Sequence, residues 1–178
     1  MSAQPLISDS YRAAQTDLHR DPNYGVASLH WAPTVADLAR QVKPRRLLDY
    51  GAGKGRLGGE LKKLLEFPIE LVQYDPAVAE FASPPPPCDL VACIDVLEHI
   101  EPDCLDAVLD DLRRVTSRVG IYTIATGPAL KTLADGRNAH LIQQGPEWWM
   151  PKLFQRFRVR SFADQGETLV VIVTPNKR

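Results

Sequence analysis

Seven consecutive residues carry the first chemical signal: Asp49-Tyr50-Gly51-Ala52-Gly53-Lys54-Gly55. A side chain at Gly51 or Gly53 would hold a ligand off the backbone, and glycine permits the positive φ of a tight turn. Backbone N–H groups at the start of a helix just after such a turn favour a negative group such as a carboxylate. Other glycine loops fail on spacing. No Gly-Lys here is followed by Ser or Thr, as a phosphate-binding loop requires. The sixth position from Gly51 is Arg56, which breaks the dinucleotide pattern G-x-G-x-x-G. What remains is D-x-G-x-G-x-G. Asp75 follows 26 residues after Asp49. A carboxylate there can accept both hydroxyl hydrogens of a ribose, worth about 1.5–3 kcal/mol per charged hydrogen bond before desolvation. Alone, Asp75-Pro76 reads as an exposed turn; one strand–helix unit after the glycine loop, it reads as a sugar clasp.

A second group is acidic. Residues 88–111 hold eight acids and no Lys or Arg. Glu101 and Asp103 suit the start of a helix, where negative charge complements the dipole. Asp106, Asp110 and Asp111 read as a solvated face. Asp95, Glu98 and His99 differ, because they sit just past a strand's carboxyl end. An imidazole of pKa about 6.5 is suited to take a proton from a hydroxyl or amine, so His99 is a candidate general base. The competing reading has it capping a loop or packing under a ligand. His140 lies in a long polar and aromatic stretch, DGRNAHLIQQGPEWW, of the kind that is usually functional. Asp95, Glu98, His99 and His140 also form an O/N donor set, but Glu-His pairs are common without metal, and the expectation is none. Of Trp148 and Trp149, one reads as core and one as interface. Six basic residues between 131 and 160 read as a solvated face, with an anionic substrate as the alternative.

These residues need a frame. Apolar spacing predicts helices over 9–20, 33–42, 54–66, 102–116 and 147–156, with a turn over 21–28. Strands are expected at 45–50, 69–74, 90–95, 120–125, 157–162 and 168–174. Alternating strand–helix units imply a parallel sheet covered on both faces. The last two strands are too close in sequence for a parallel crossover, so one of them is antiparallel. Such a sheet places its ligand at the carboxyl ends of its strands.

Length and composition limit the alternatives. The chain has 178 residues, enough for a single domain with its own core. Its formal net charge of −1 gives no reason to expect a nucleic-acid or membrane-surface binder. Cys88, Cys93 and Cys104 have neither zinc-ribbon nor disulfide spacing and read as buried thiols. No secretory leader pattern is visible, so a cytoplasmic location is expected.

LLDYGAGKG (47–55), VQYDP (72–76) and CDLVACIDVLEHI (88–100) resemble, in order, motifs I, II and IV of class I S-adenosylmethionine (SAM)-dependent methyltransferases. The likeness is close over 45–125 and extends by element order beyond; the whole chain is similar to small bacterial and bacteriophage methyltransferase-like proteins. The resemblance implies a Rossmann-like α/β fold with strand order 3-2-1-4-5-7-6, strand 7 antiparallel. With only 13 residues (76–88) between Asp75 and Asp89, four of them the Pro84–Pro87 run, strand 3 is reduced or absent. It implies that Asp49, Tyr50, Gly51, Gly53 and Gly55 surround the methionine part of SAM. Asp75 and Pro76 would hold the ribose side, and Asp95 and Val96 would line the cofactor near the sulfur. The Pro84–Pro87 run is expected to cover the adenine. Residues 1–44 form N-terminal helices that could close as a lid; 45–178 form the core. His99 and His140 are the catalytic candidates, and the acceptor is an O or N atom of a small molecule or sugar. Two alternatives stand beside this: a non-catalytic SAM-fold scaffold, and a metal-dependent RNA 2′-O-methyltransferase, whose small-RNA representatives carry an acid, an acid-His pair and a distant His.

Overall fold

The computed structural model describes residues 4–21 and 24–176. Of the turn expected over 21–28, residues 22 and 23 lie outside them, and 27 and 28 belong instead to the second helix. Helix α1 (Asp9–Leu18) starts at Ser8, whose hydroxyl accepts from the Tyr11 amide. Helix α2 (Ala27–Val42) begins six residues earlier than its spacing predicts and carries Pro33 inside it. An interior proline costs a helix about 3 kcal/mol. Trp31 and Ala32, buried with Val35, Ala36 and Ala39, supply the offsetting apolar contact.

Strand β1 (Arg46–Tyr50) leads through the glycine loop into α3 (Arg56–Leu64) and β2 (Glu70–Tyr74). Strand β3 (Cys88–Ile94) follows, then α4 (Leu105–Val115), β4 (Thr116–Ala125), α5 (Pro146–Arg156), β5 (Phe157–Asp164) and β6 (Thr168–Pro175). Strand β4 begins four residues before the expected Gly120, because Thr116 already pairs with Cys88. The sheet order is β2-β1-β3-β4-β6-β5. The first four strands are parallel, and β6 runs antiparallel between β4 and β5. The expected antiparallel terminal strand is therefore there. Among the described residues no strand lies between β2 and β3, only a short 3-10 turn (Ala79–Phe81) and the proline run.

Alternate residues of the central strands feed two cores. Leu47, Leu90, Ala92 and Ile121 face α2 and α3; Leu48, Val91, Cys93 and Tyr122 face α4 and α5. Trp149 is fully buried in the second core, while Trp148 is partly buried and carries Lys152 4.4 Å from its ring centroid. All three cysteines are free and buried. Among the described residues, no helix is long and apolar enough to cross a membrane.

Candidate active site

The carboxyl ends of β1, β2 and β3 open into a cavity of about 490 Å³. Asp49, Tyr50, Gly51 and Gly53 form one wall, Asp75 and Pro76 another, and Asp95, Val96, His99 and His140 the far end. Ten of the eleven residues singled out from the sequence therefore share one hollow. Gly55 does not: its φ of +68° caps α3 and its Cα faces the Gln73 amide. The Pro84–Pro87 run does not line the cavity either. The Pro85 carbonyl accepts from Arg114 of α4.

The loop earns its glycines at two positions. Gly51 has φ +78° with the Val96 side chain against its Cα, and Gly53 has φ +51° with His19 Cε1 2.8 Å from where a Cβ would stand. Its N–H groups, however, are not free. Gly51 and Ala52 donate to the Tyr74 carbonyl at 2.8 and 3.0 Å, and Gly55 to Ala52 at 2.8 Å. The Gly53 N–H donates to Asp75 Oδ2 at 2.9 Å. The lining stops at Gly53, so the start of α3 does not face the hollow and the expected helix-terminus carboxylate site is absent.

The carboxylates are unevenly satisfied. Asp75 Oδ1 accepts from the Ala77 amide at 2.9 Å, and His19 Nε2 stands 3.9 Å from Oδ2. Asp49 is buried with Oδ2 unpartnered; burial, then the Asp75 charge, push its pKa up to about 7. Asp95 takes the unusual φ of +50°, and its Oδ1 accepts from Thr123 Oγ1 at 2.5 Å. Burial raises its pKa. Glu98 is fully buried; Oε1 accepts from the Ala125 amide at 3.0 Å, Oε2 has no partner, and burial raises its pKa well above the usual carboxylate range.

The two histidines meet at the far end, ring centroids 4.7 Å apart and nearly perpendicular. The 126–145 segment returns against the short turn Leu97–His99 through the Ile142 amide, which donates to the Glu98 carbonyl at 3.0 Å. His99 Nδ1 lies 2.8 Å from the Ala139 carbonyl, and His140 Nδ1 2.7 Å from that of Gly127. Burial, then the neighbouring His140, lower the pKa of His99 to about 4, so it is neutral at ordinary pH and a weak proton acceptor. One donor atom each of Glu98, His99 and His140 lie within 4.8 Å of one another, but Asp95 is not part of that group.

Three further lining residues come from α1 and its C-cap: Tyr11, Gln15 and His19. The helix crosses the cavity. Tyr11 Oη donates to the His99 carbonyl at 2.5 Å, Thr16 Oγ1 to that of Ala77 at 2.9 Å, and Arg12 to that of Pro76. The sequence reading passed over Gln15 and His19. Their recurrence every fourth residue after Tyr11, on a helix otherwise polar, was the available signal.

A parallel sheet with a glycine loop after its first strand, an acid after its second and a cavity at both defines a Rossmann-like cofactor-binding protein of the class I methyltransferase architecture. A family model described as a methyltransferase domain matches residues 27–169, and the chain belongs to that family. Its cofactor is SAM. No curated protein matches the chain. Among solved structures it is similar to Burkholderia thailandensis 1,6-didemethyltoxoflavin-N1-methyltransferase, which holds 1,6-didemethyltoxoflavin and S-adenosylhomocysteine (18% identity, 99% of this chain and 94% of that one covered, TM-score 0.65). It is similar to human N-acetylserotonin methyltransferase in complex with SAM (15%, 99% and 61%, 0.63). It is also similar to the small RNA methyltransferase HEN1 (14%, 85% and 25%, 0.60). At these identities the likeness shows the fold.

Proposed function

We propose that this SAM-dependent methyltransferase methylates an oxygen or nitrogen atom of a small-molecule or sugar acceptor held at the histidine end of the cavity. One observation carries the reading: a single hollow runs from Asp75, past Asp49 and Gly51, to His99 and His140. The cofactor fits the donor set. Asp49 Oδ2 is an orphaned buried acceptor, and a ligand ammonium would satisfy it. In this reading Asp75 holds the ribose hydroxyls, Tyr50, Gly51 and Gly53 border the methionine part, and Pro76, Asp95 and Val96 complete the wall. When bound, SAM supplies an electrophilic methyl group on a sulfonium leaving group.

The chain's own work is positioning. Val96 and Ile94 exclude water from the reacting region, and the backbone-anchored histidines fix where an acceptor sits. A carbonyl only accepts, so each Nδ1 carries the proton and each Nε2 offers a lone pair to an acceptor O–H or N–H. A strongly anionic acceptor is disfavoured. Among the described residues Lys131 is the one Lys or Arg on the wall, and it is paired with Asp21. That argues against the phosphate backbone of an RNA. The scaffold alternative expects the face near His99 and His140 to be closed or occupied by a partner; the cavity reaches both histidines, which disfavours the closed form, and turnover of a methyl acceptor separates the two readings. Isothermal titration with S-adenosylhomocysteine tests the reading: saturable binding is expected, and no heat at millimolar ligand would sink it.

A further inference from the structure

Two segments border the cavity with exposed side chains: residues 24–28, which lead into α2, and residues 128–131, beyond β4. Lys131 pairs with Asp21, and Lys54 donates to the carbonyls of Asp21 and Tyr24, which ties the two segments together. The second is also tied to the histidines. Asn138 Oδ1 accepts from the amides of both Ala129 and His140 at 2.9 Å, and the Gly127 carbonyl faces His140 Nδ1. Leu130 lines the cavity and yet is fully exposed; Val26 lines it from the other segment and is 48% exposed. Leu29, 42% exposed, follows Val26 by one helical turn on the same side of α2. Of the five large apolar side chains that the described residues expose, three therefore belong to one rim; the other two, Phe154 and Phe162, lie on α5 and β5. A lone exposed Leu is ordinary, but a group of such residues at a cavity marks a binding surface.

The polar side chains of the same two segments are few. The Tyr24 hydroxyl donates to Gln15 Oε1 at 3.2 Å, and Lys131 is engaged by Asp21. Ser28 is the remaining polar side chain among their lining residues. One hydroxyl cannot replace the water around the several hydroxyls of a sugar. We propose that the acceptor is an uncharged amphiphile: a hydroxyl or arylamine head that reaches His99 and His140, joined to an alkyl or aryl body that lies over Val26 and Leu130 toward Leu29. The occupant follows from continuity. Val26 and Leu130 belong to the cavity wall, so the part of an acceptor that projects from the histidine end lies against them. An apolar body leaves water there on binding, which makes Val26 and Leu130 the specificity-determining residues. The role of such a molecule as substrate rests on the reading above; its affinity for the rim does not.

The test uses the full chain, with and without saturating S-adenosylhomocysteine, and three probes that share one head: phenol, 4-ethylphenol and 4-butylphenol. Methyl glucoside is the polar comparison. A phenol of pKa about 10 is uncharged at pH 7. Calorimetry should show affinity rising by about tenfold or more from phenol to 4-butylphenol, with methyl glucoside binding more weakly than 4-butylphenol. Leu130→Asp and Val26→Asp should each cut that gain to about threefold or less. Val26 is the N-cap of α2, where Asp is a favoured residue. Retained S-adenosylhomocysteine affinity shows that the variants are folded; if one fails to fold the other decides, and the chain-length series of the unaltered protein stands by itself. No gain with chain length, tighter binding of methyl glucoside, or a gain that both variants keep overturns the proposal. So does binding to phosphatidylcholine vesicles, or self-association, that the same substitutions abolish, because the rim would then be a lipid or subunit contact. A chain-length gain without S-adenosylhomocysteine binding would sink the methyl-transfer reading alone, and the converse would sink the apolar-acceptor site alone.

Discussion

The two ends of the cavity are built by opposite means. The Asp49–Asp75 end is local: a tight turn, one strand end and N–H groups that the protein itself satisfies. The histidine end joins the turn after β3 to a segment some forty residues further on; each end leaves one buried carboxylate oxygen unpaired, Asp49 Oδ2 and Glu98 Oε2. One end is a turn held by its own backbone bonds; the other is a pair of imidazoles brought together by main-chain contacts from distant residues. The difference teaches that binding and chemistry can be separated here by mutation.

The largest expected effect is at the Asp49–Asp75 end. Asp75→Ala removes the proposed ribose clasp and also the partner of the Gly53 and Ala77 amides. At about 1.5–3 kcal/mol per charged hydrogen bond, affinity for S-adenosylhomocysteine should fall by about 100-fold or more in calorimetry. A loss under threefold would break the comparison. At the other end, His140→Ala should leave that affinity within about twofold while lowering kcat by about tenfold or more. An equal loss of both would show that the ends are not separable.

A pH series sharpens the contrast. With its folded pKa at about 7, against an ordinary 3.8, Asp49 binds more protons in the folded chain than in the unfolded one. Its contribution to stability is therefore present at low pH and is lost as pH rises from about 4 to about 7. A bound ammonium favours the ionised form. Affinity for S-adenosylhomocysteine should thus rise between about pH 6 and about pH 8, with release of a proton, and Asp49→Asn should flatten both trends. The smallest effect is expected at Pro84 and Pro86. Because the run lies off the cavity wall, alanine at either position should change ligand affinity by less than about twofold; a large loss would restore an adenine-covering role.

What was legible follows the same division. The glycine loop, Asp75 and Val96 could be read because each sits next to a strand end, and strand ends are marked by apolar runs and by Gly or Pro. That one terminal strand is reversed followed from the short β5–β6 connection; the strand order came from the family resemblance. Gly55 was misplaced because spacing cannot tell a glycine that faces a ligand from one that caps a helix beside Gln73. The early start of α2 was hidden by Pro33, whose cost only the burial of Trp31 and its neighbours explains. The pairing of His99 with His140 depends on the Ala139 and Ile142 main-chain bonds, which leave no local pattern.

Helix α1 touches both ends at once, through Tyr11 at the His99 carbonyl and Thr16 at the Ala77 carbonyl. Between those anchors runs a stiff rod of about 7.5 Å. In the proposed reading it would work as a gauge, setting how far the sugar of one reactant lies from the seat of the other. Deleting one residue between the anchors would turn one anchor relative to the other by about 100° and leave the wall residues at the strand ends in place. The alignment that a straight-line displacement demands would be lost without any change in the groups that perform it.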